Sequence, residues 1–136
     1  MTQVELNTPR ILHVDDDDDI RAITQIALEV VGKLEVHQCA SGQEALLVAA
    51  EFTPDLFLLD VMMPGMTGED TLAALRRMPG MENTPVIFMT AKAQADDVAR
   101  LMSLGSAKVI TKPFDPLTLA TKVVEIWQQQ QITAAP

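Results

Sequence analysis

Five aspartates stand in a row, Asp15 to Asp19, directly after the largely apolar run Ile11–Val14. Three more short apolar runs lead into residues of equally pointed chemistry. Asp60 closes DLFLLD (55–60), Thr90 closes PVIFMT (85–90), and Lys112-Pro113 follows AKVIT (107–111). Crowded carboxylates cannot all ionise cheaply without a cation between them. Ligands that offer only oxygen favour a hard ion, Mg2+ first and Mn2+ as its substitute. A carboxylate left with a free oxygen beside such an ion can attack an electrophilic phosphorus. An ammonium and a hydroxyl or backbone donor can then hold the phosphoryl oxygens and spread their charge. The inventory suits phosphoryl transfer onto an aspartate.

That chemistry requires a fold that gathers these residues. From Arg10 to about Gln130, short runs rich in Val, Ile, Leu and Phe alternate with longer stretches of helical spacing. RILHV (10–14), LEVHQC (34–39), DLFLLD, PVIFMT and AKVIT read as strands, and three of them are nearly continuous apolar, as strands covered on both faces are. Ile20, Ile23, Ala27 and Val30 recur at helical steps and stop near Gly32. Ser41 can cap a second helix, with Glu44 at capping-box spacing. Residues 67–77, 93–103 and 116–131 supply three more helices. A strand followed by a helix, five times over, predicts an α/β sandwich, (βα)5, with a parallel sheet and helices on both faces. Ligands of such sheets gather outside the carboxyl ends of the strands. Asp15, Asp16, Asp60, Thr90 and Lys112 all fall there.

The 136 residues fit one domain, read as 9–131 with short tails at 1–8 and 132–136. Hydrophobic residues at 48% and charged residues at 21% are ordinary for a folded globule, which argues against disorder of the whole chain. The net charge of −9 argues against general nucleic-acid binding and against docking on an anionic membrane. Cys39 is the single cysteine, so no internal disulfide forms, as suits a reducing cytoplasm. No leader pattern and no membrane-length apolar run is visible. The expectation is a cytoplasmic monomer.

VDD (14–16), DLFLLDVMMPGMTG (55–68), FMTAK (88–92) and ITKPF (110–114) stand in an order and spacing that resemble the receiver domain of two-component response regulators. Each motif alone is weak; the four together are specific and cover about residues 10 to 130. The resemblance implies a flavodoxin-like, doubly wound sheet of strand order 2-1-3-4-5. It also implies roles, position by position. Asp60 would be the phosphoacceptor. Asp16 would ligate Mg2+ directly, Asp15 largely through water, and Asp60 and the backbone carbonyl of Met62 would complete the set. Lys112 would contact Asp60 and then a phosphoryl oxygen. Thr90 and Ala91 would bind the phosphoryl group, Thr90 drawing its loop with it, and the Lys112–Pro113 bond would be cis.

The resemblance further implies a histidine kinase or histidine phosphotransfer protein as donor, docked on the first helix from Ile20 onward. A downstream protein of unknown identity would dock on the face made by the fourth helix, fifth strand and fifth helix. The chain would be a stand-alone receiver, a phosphoacceptor that catalyses only its own phosphorylation and hydrolysis. Val109 stands where the family often carries Tyr, Phe or His, so the aromatic half of the usual switch is missing. That departure supports a rival reading, an interaction module that acts independently of phosphorylation.

Other readings of the aspartate run fit less well. A calcium loop starting at Asp15 would need Gly at Ile20 and Glu at Ile26. A haloacid-dehalogenase-type phosphatase would leave LLDVMMPG unexplained and expects Thr or Val where Asp19 or Ile20 stands. A flavin-phosphate loop would be repelled by five carboxylates. His13 and His37 lie within strands without ligand spacing and read as structural. Asp17 reads as the cap of the first helix, with Asp18 and Asp19 in its first turn.

Overall fold

In the computed structural model, which describes residues 8–134, the five apolar runs form one parallel sheet. The strands are β1 (Arg10–Val14), β2 (Glu35–Cys39), β3 (Leu56–Asp60), β4 (Val86–Thr90) and β5 (Ser106–Thr111). Their order across the sheet is β2-β1-β3-β4-β5, the order the resemblance implied. Every position of β3 and β4 is buried, because helices cover both faces of the sheet's centre.

The helices are α1 (Asp18–Gln25, continued by a π-helical stretch over Ile26–Val31), α2 (Gly42–Phe52), α3 (Gly68–Arg76), α4 (Ala95–Ser103) and α5 (Leu119–Ala134). Side chains alternate along each strand, so β3 feeds two cores. Phe57 and Leu59 pack with Ala45, Leu72, Leu75 and Leu101 from α2, α3 and α4. Leu56 and Leu58 pack with Leu28, Val123 and Trp127 from α1 and α5. Side-chain caps fix the starts of three helices. Asp17 accepts from the amides of Asp19 and Ile20, and Thr67 and Asp70 form a reciprocal capping box. Ser41 accepts from Glu44 N, while Glu44 reaches past Ser41 to the amide of Ala40.

Two elements depart from the sequence reading. Helix α1 is α-helical to Gln25 and continues as a wider π-helical stretch over Ile26–Val31, with Gly32 N donating to Ala27 O at 3.1 Å. Thr24, Ala27 and Leu28 are buried, whereas Ile23 and Val30 are 41% and 66% exposed. The apparent stripe Ile20–Ile23–Ala27–Val30 is thus only partly a core stripe. Helix α5 runs to Ala134, into the segment read as a tail. The N-terminal tail, apart from Thr8, lies outside the described residues. Among the described residues, no helix is long and apolar enough to cross a membrane.

Candidate functional site

The carboxyl ends of β1, β3 and β5 bring Asp15, Asp60 and Lys112 into one cluster. Lys112 Nζ donates to Asp60 Oδ1 at 2.8 Å and to Asp15 Oδ2 at 2.9 Å. The site opens as a cavity of about 240 Å³ lined by Asp15, Asp16, Asp60, Met62, Ala91 and Lys112, with Asp17 at its edge. Carboxylate oxygens of Asp15, Asp16 and Asp60 lie within 4.8 Å of one another. That oxygen-only donor set fits a hard divalent ion.

The two aspartates that follow β1 are held very differently. Asp15 is fully buried and tied at four points. Its amide donates to Cys39 O, its Oδ1 accepts from Asp17 N at 2.9 Å, and its Oδ2 accepts from Lys112. Its carbonyl accepts from Arg21 Nη1 at 2.7 Å. Asp16, the next residue, is exposed at the mouth.

Asp60 is 4% exposed. Burial pushes its carboxyl above the ordinary value; the Lys112 hydrogen bond opposes the rise, and the charges of Asp15 and Asp16 add to it. Burial disfavours the Lys112 ammonium, yet its bonds to Asp60 and Asp15 outweigh that and hold its pKa above the ordinary lysine value. A carboxylate beside two others is poised for a cation. Gly68 opens α3 directly behind this position: a Cβ there would lie 2.1 Å from Asp60 O. Only glycine lets α3 start that close to the strand end.

The remaining expected residues divide. Met62 lines the cavity and is 62% exposed. Thr90 ends β4 and is 2% exposed, but its hydroxyl accepts from Lys92 N at 3.0 Å and does not line the cavity. Val109 is half-buried against the α2–α4 core. The Lys112–Pro113 bond is cis. Asp17 caps α1, with Asp18 and Asp19 in the first turn.

The sequence reading passed over a polar chain behind the cluster. Gln38 Nε2, on β2, donates to Arg21 O at 2.8 Å and lies 3.1 Å from His13 Nδ1. Because an amide nitrogen faces both atoms, Nδ1 is the acceptor and the imidazole carries its proton on Nε2. His13 is wholly buried, and burial first, then the charges of Lys112 and Arg21, lowers its pKa to about 3. It is a neutral core histidine.

Comparison with known proteins agrees with the geometry. Residues 11–124 match the response regulator receiver domain family. The chain is 36% identical over 113 residues to the phosphate regulon transcriptional regulatory protein PhoB of Pseudomonas aeruginosa, covering 83% of this chain and 49% of that protein. It is 37% identical over 114 residues to the DNA-binding response regulator MtrA of Mycolicibacterium smegmatis, covering 84% and 48%. The chain thus spans about half the length of the curated relatives it matches. Among solved structures, the chemotaxis protein CheY4 of Vibrio cholerae superposes with a TM-score of 0.80 at 30% identity, covering 88% of this chain and 98% of that one. With the fold, the strand order and the family match over most of its length in agreement, this chain belongs to the response regulator receiver domains.

Proposed function

We propose that this receiver takes a phosphoryl group from a phosphohistidine donor, a histidine kinase or histidine phosphotransfer protein, onto Asp60. The observation that carries this reading is the single ammonium of Lys112 bridging Asp60 and Asp15 within a trio of carboxylates. Lys112 holds Oδ1 of Asp60, and Oδ2 accepts no hydrogen bond among the described residues. That oxygen attacks phosphorus: an O–P bond forms, the N–P bond to the donor imidazole breaks, and the imidazole leaves with the electron pair and gains a proton. Asp15, Asp16, Asp60 and the Met62 carbonyl would hold Mg2+, which when bound offsets the carboxylate charge and that of the transferring group. Lys112 moves from Oδ1 toward a phosphoryl oxygen. The buried acyl phosphate then draws the Thr90 hydroxyl away from Lys92 N, and the β4–α4 loop follows.

Output passes to a downstream protein through the α4–β5–α5 face. With Val109 in place of a ring, the loop displacement reaches α4 without a swinging aromatic. Donor docking falls to α1, where Ile23, Ile26 and Val30 are exposed. The protein catalyses its own phosphorylation and hydrolysis and turns over no other substrate.

Beryllofluoride, which mimics an acyl phosphate, supplies the test. With Mg2+ it is expected to shift the amide resonances of Thr90, Ala91 and Lys92 in wild type and leave Asp60→Asn unchanged. Equal responses in the two proteins, or none in either, contradict the reading.

A further inference from the structure

We propose that Gln38 is a positioning residue for the metal-binding turn Asp15–Asp17, acting through the main chain of Arg21. This rests on the functional reading above. The connections form a closed ring. His13 lies on β1, two residues before Asp15, which directly follows the strand. From His13 Nδ1 the ring passes to the Gln38 amide on β2, then to Arg21 O on α1 at 2.8 Å. It returns through the Arg21 side chain, whose Nη1 donates to Asp15 O at 2.7 Å.

Each link constrains the next. Both hydrogens of the Gln38 amide are committed, one to each acceptor, so its plane is fixed. The carbonyl it holds belongs to a residue whose guanidinium spans the mouth of the first turn of α1. That guanidinium also pairs with Asp18, so the Arg21 side chain is stretched between the start of its own helix and the end of β1. Slackening the Arg21 main chain moves the donor that pins Asp15 O. Asp16 is then affected most, because its exposed carboxylate has no hydrogen bond of its own among the described residues and is placed only by its pinned neighbours, Asp15 and Asp17. A hydrogen-bonded partner behind a metal ligand typically changes metal affinity about 10- to 100-fold.

The inference separates from a purely structural role because Gln38 has two acceptors. His13→Val removes only the imidazole and leaves the amide on Arg21 O. Gln38→Leu removes the donor from both. The double variant His13→Val/Gln38→Leu leaves no buried imidazole nitrogen lacking its donor, so it recovers stability relative to Gln38→Leu. It still lacks the donor to Arg21 O.

The test is a calorimetric Mg2+ titration of wild type and the three variants, with thermal melting of each metal-free protein. Gln38→Leu and the double variant are expected to weaken Mg2+ binding about tenfold, and His13→Val to leave it within twofold. The double variant is expected to melt above Gln38→Leu. The half-saturating Mg2+ for phosphorylation by acetyl phosphate should rise in parallel, while the rate at saturating Mg2+ stays near wild type. Unchanged Mg2+ affinity in Gln38→Leu overturns the inference. So does a double variant that regains wild-type affinity together with stability. A wild type that binds no Mg2+ overturns the functional reading first, and this inference with it.

Discussion

Lys112 Nζ lies 2.8 Å from Asp60 Oδ1 while also holding Asp15 Oδ2 at 2.9 Å, so one ammonium bridges the ends of β1 and β3 from the end of β5. Its side chain is 14% exposed, and those of Asp15 and Asp60 are 0% and 6% exposed. Two buried carboxylates therefore share one cation. Removing that cation leaves them facing each other in a poorly solvated site, a costly arrangement.

Lys112→Met should accordingly slow phosphorylation of Asp60 by about 100-fold or more, the scale for losing a charged group that stabilises a transferring centre. Single-turnover phosphorylation at saturating Mg2+ checks this. A rate within threefold of wild type would remove Lys112 from the mechanism.

Asp60→Asn should stabilise the metal-free protein at neutral pH. The folded-state pKa of Asp60 is raised, chiefly by burial, so the folded state holds the proton more tightly than the unfolded chain. Its ionised form therefore opposes folding above the folded pKa, and that penalty fades as pH falls toward the unfolded value. The neutral amide should therefore raise the melting midpoint by a few degrees. Melting in excess chelator at pH 7 measures it, and a lower midpoint than wild type would contradict the assignment. Mg2+ should raise the wild-type midpoint and leave Asp60→Asn nearly unmoved.

His13 works with the opposite sign. Its folded pKa is lowered from 6.5 to about 3, so below pH 6.5 the unfolded chain binds a proton that the folded chain refuses. Stability is lost as pH falls through that window, by about 2 kcal/mol at pH 5. His13→Val should flatten the metal-free stability profile between pH 6.5 and 4. Chemical denaturation across that range gives the slope, and an unchanged slope would mean that His13 is protonated in the fold.

The exposed apolar residues of α1 invite a separate test of donor docking. Ile26 and Val30 are 54% and 66% exposed, so aspartate at either should cost little stability. Ile26→Asp should slow transfer from a phosphohistidine donor at least tenfold, the weight of one central interface residue. Labelling by acetyl phosphate, which needs no docking, should be unaffected. Loss of both activities would point to damage at Asp60 instead.

Much of this site is legible in the residues because α/β folding places it mechanically. Each apolar run ends where its strand ends, so Asp15, Asp60 and Lys112 reach one edge once the sheet is parallel. Two features escape such reading. The π-helical widening of α1 after Gln25 has no residue signature, and stripes through Ile23 and Val30 or through Thr24 and Leu28 are equally helical in spacing, so residue type alone does not choose between them. The His13–Gln38–Arg21 chain depends on side-chain reach between two strands and a helix, whereas in the sequence these are isolated polar residues. The residue type at Thr90 places a hydroxyl at the strand end, but its present engagement with Lys92 N is a matter of rotamer.

The central claim, that Asp60 accepts a phosphoryl group with Mg2+ present, is tested most directly by intact mass spectrometry after incubation with acetyl phosphate. The expected product is a single phosphoryl adduct that maps to Asp60, requires Mg2+, and is absent from Asp60→Asn. No adduct on the wild type, or an adduct that persists in Asp60→Asn, would contradict it.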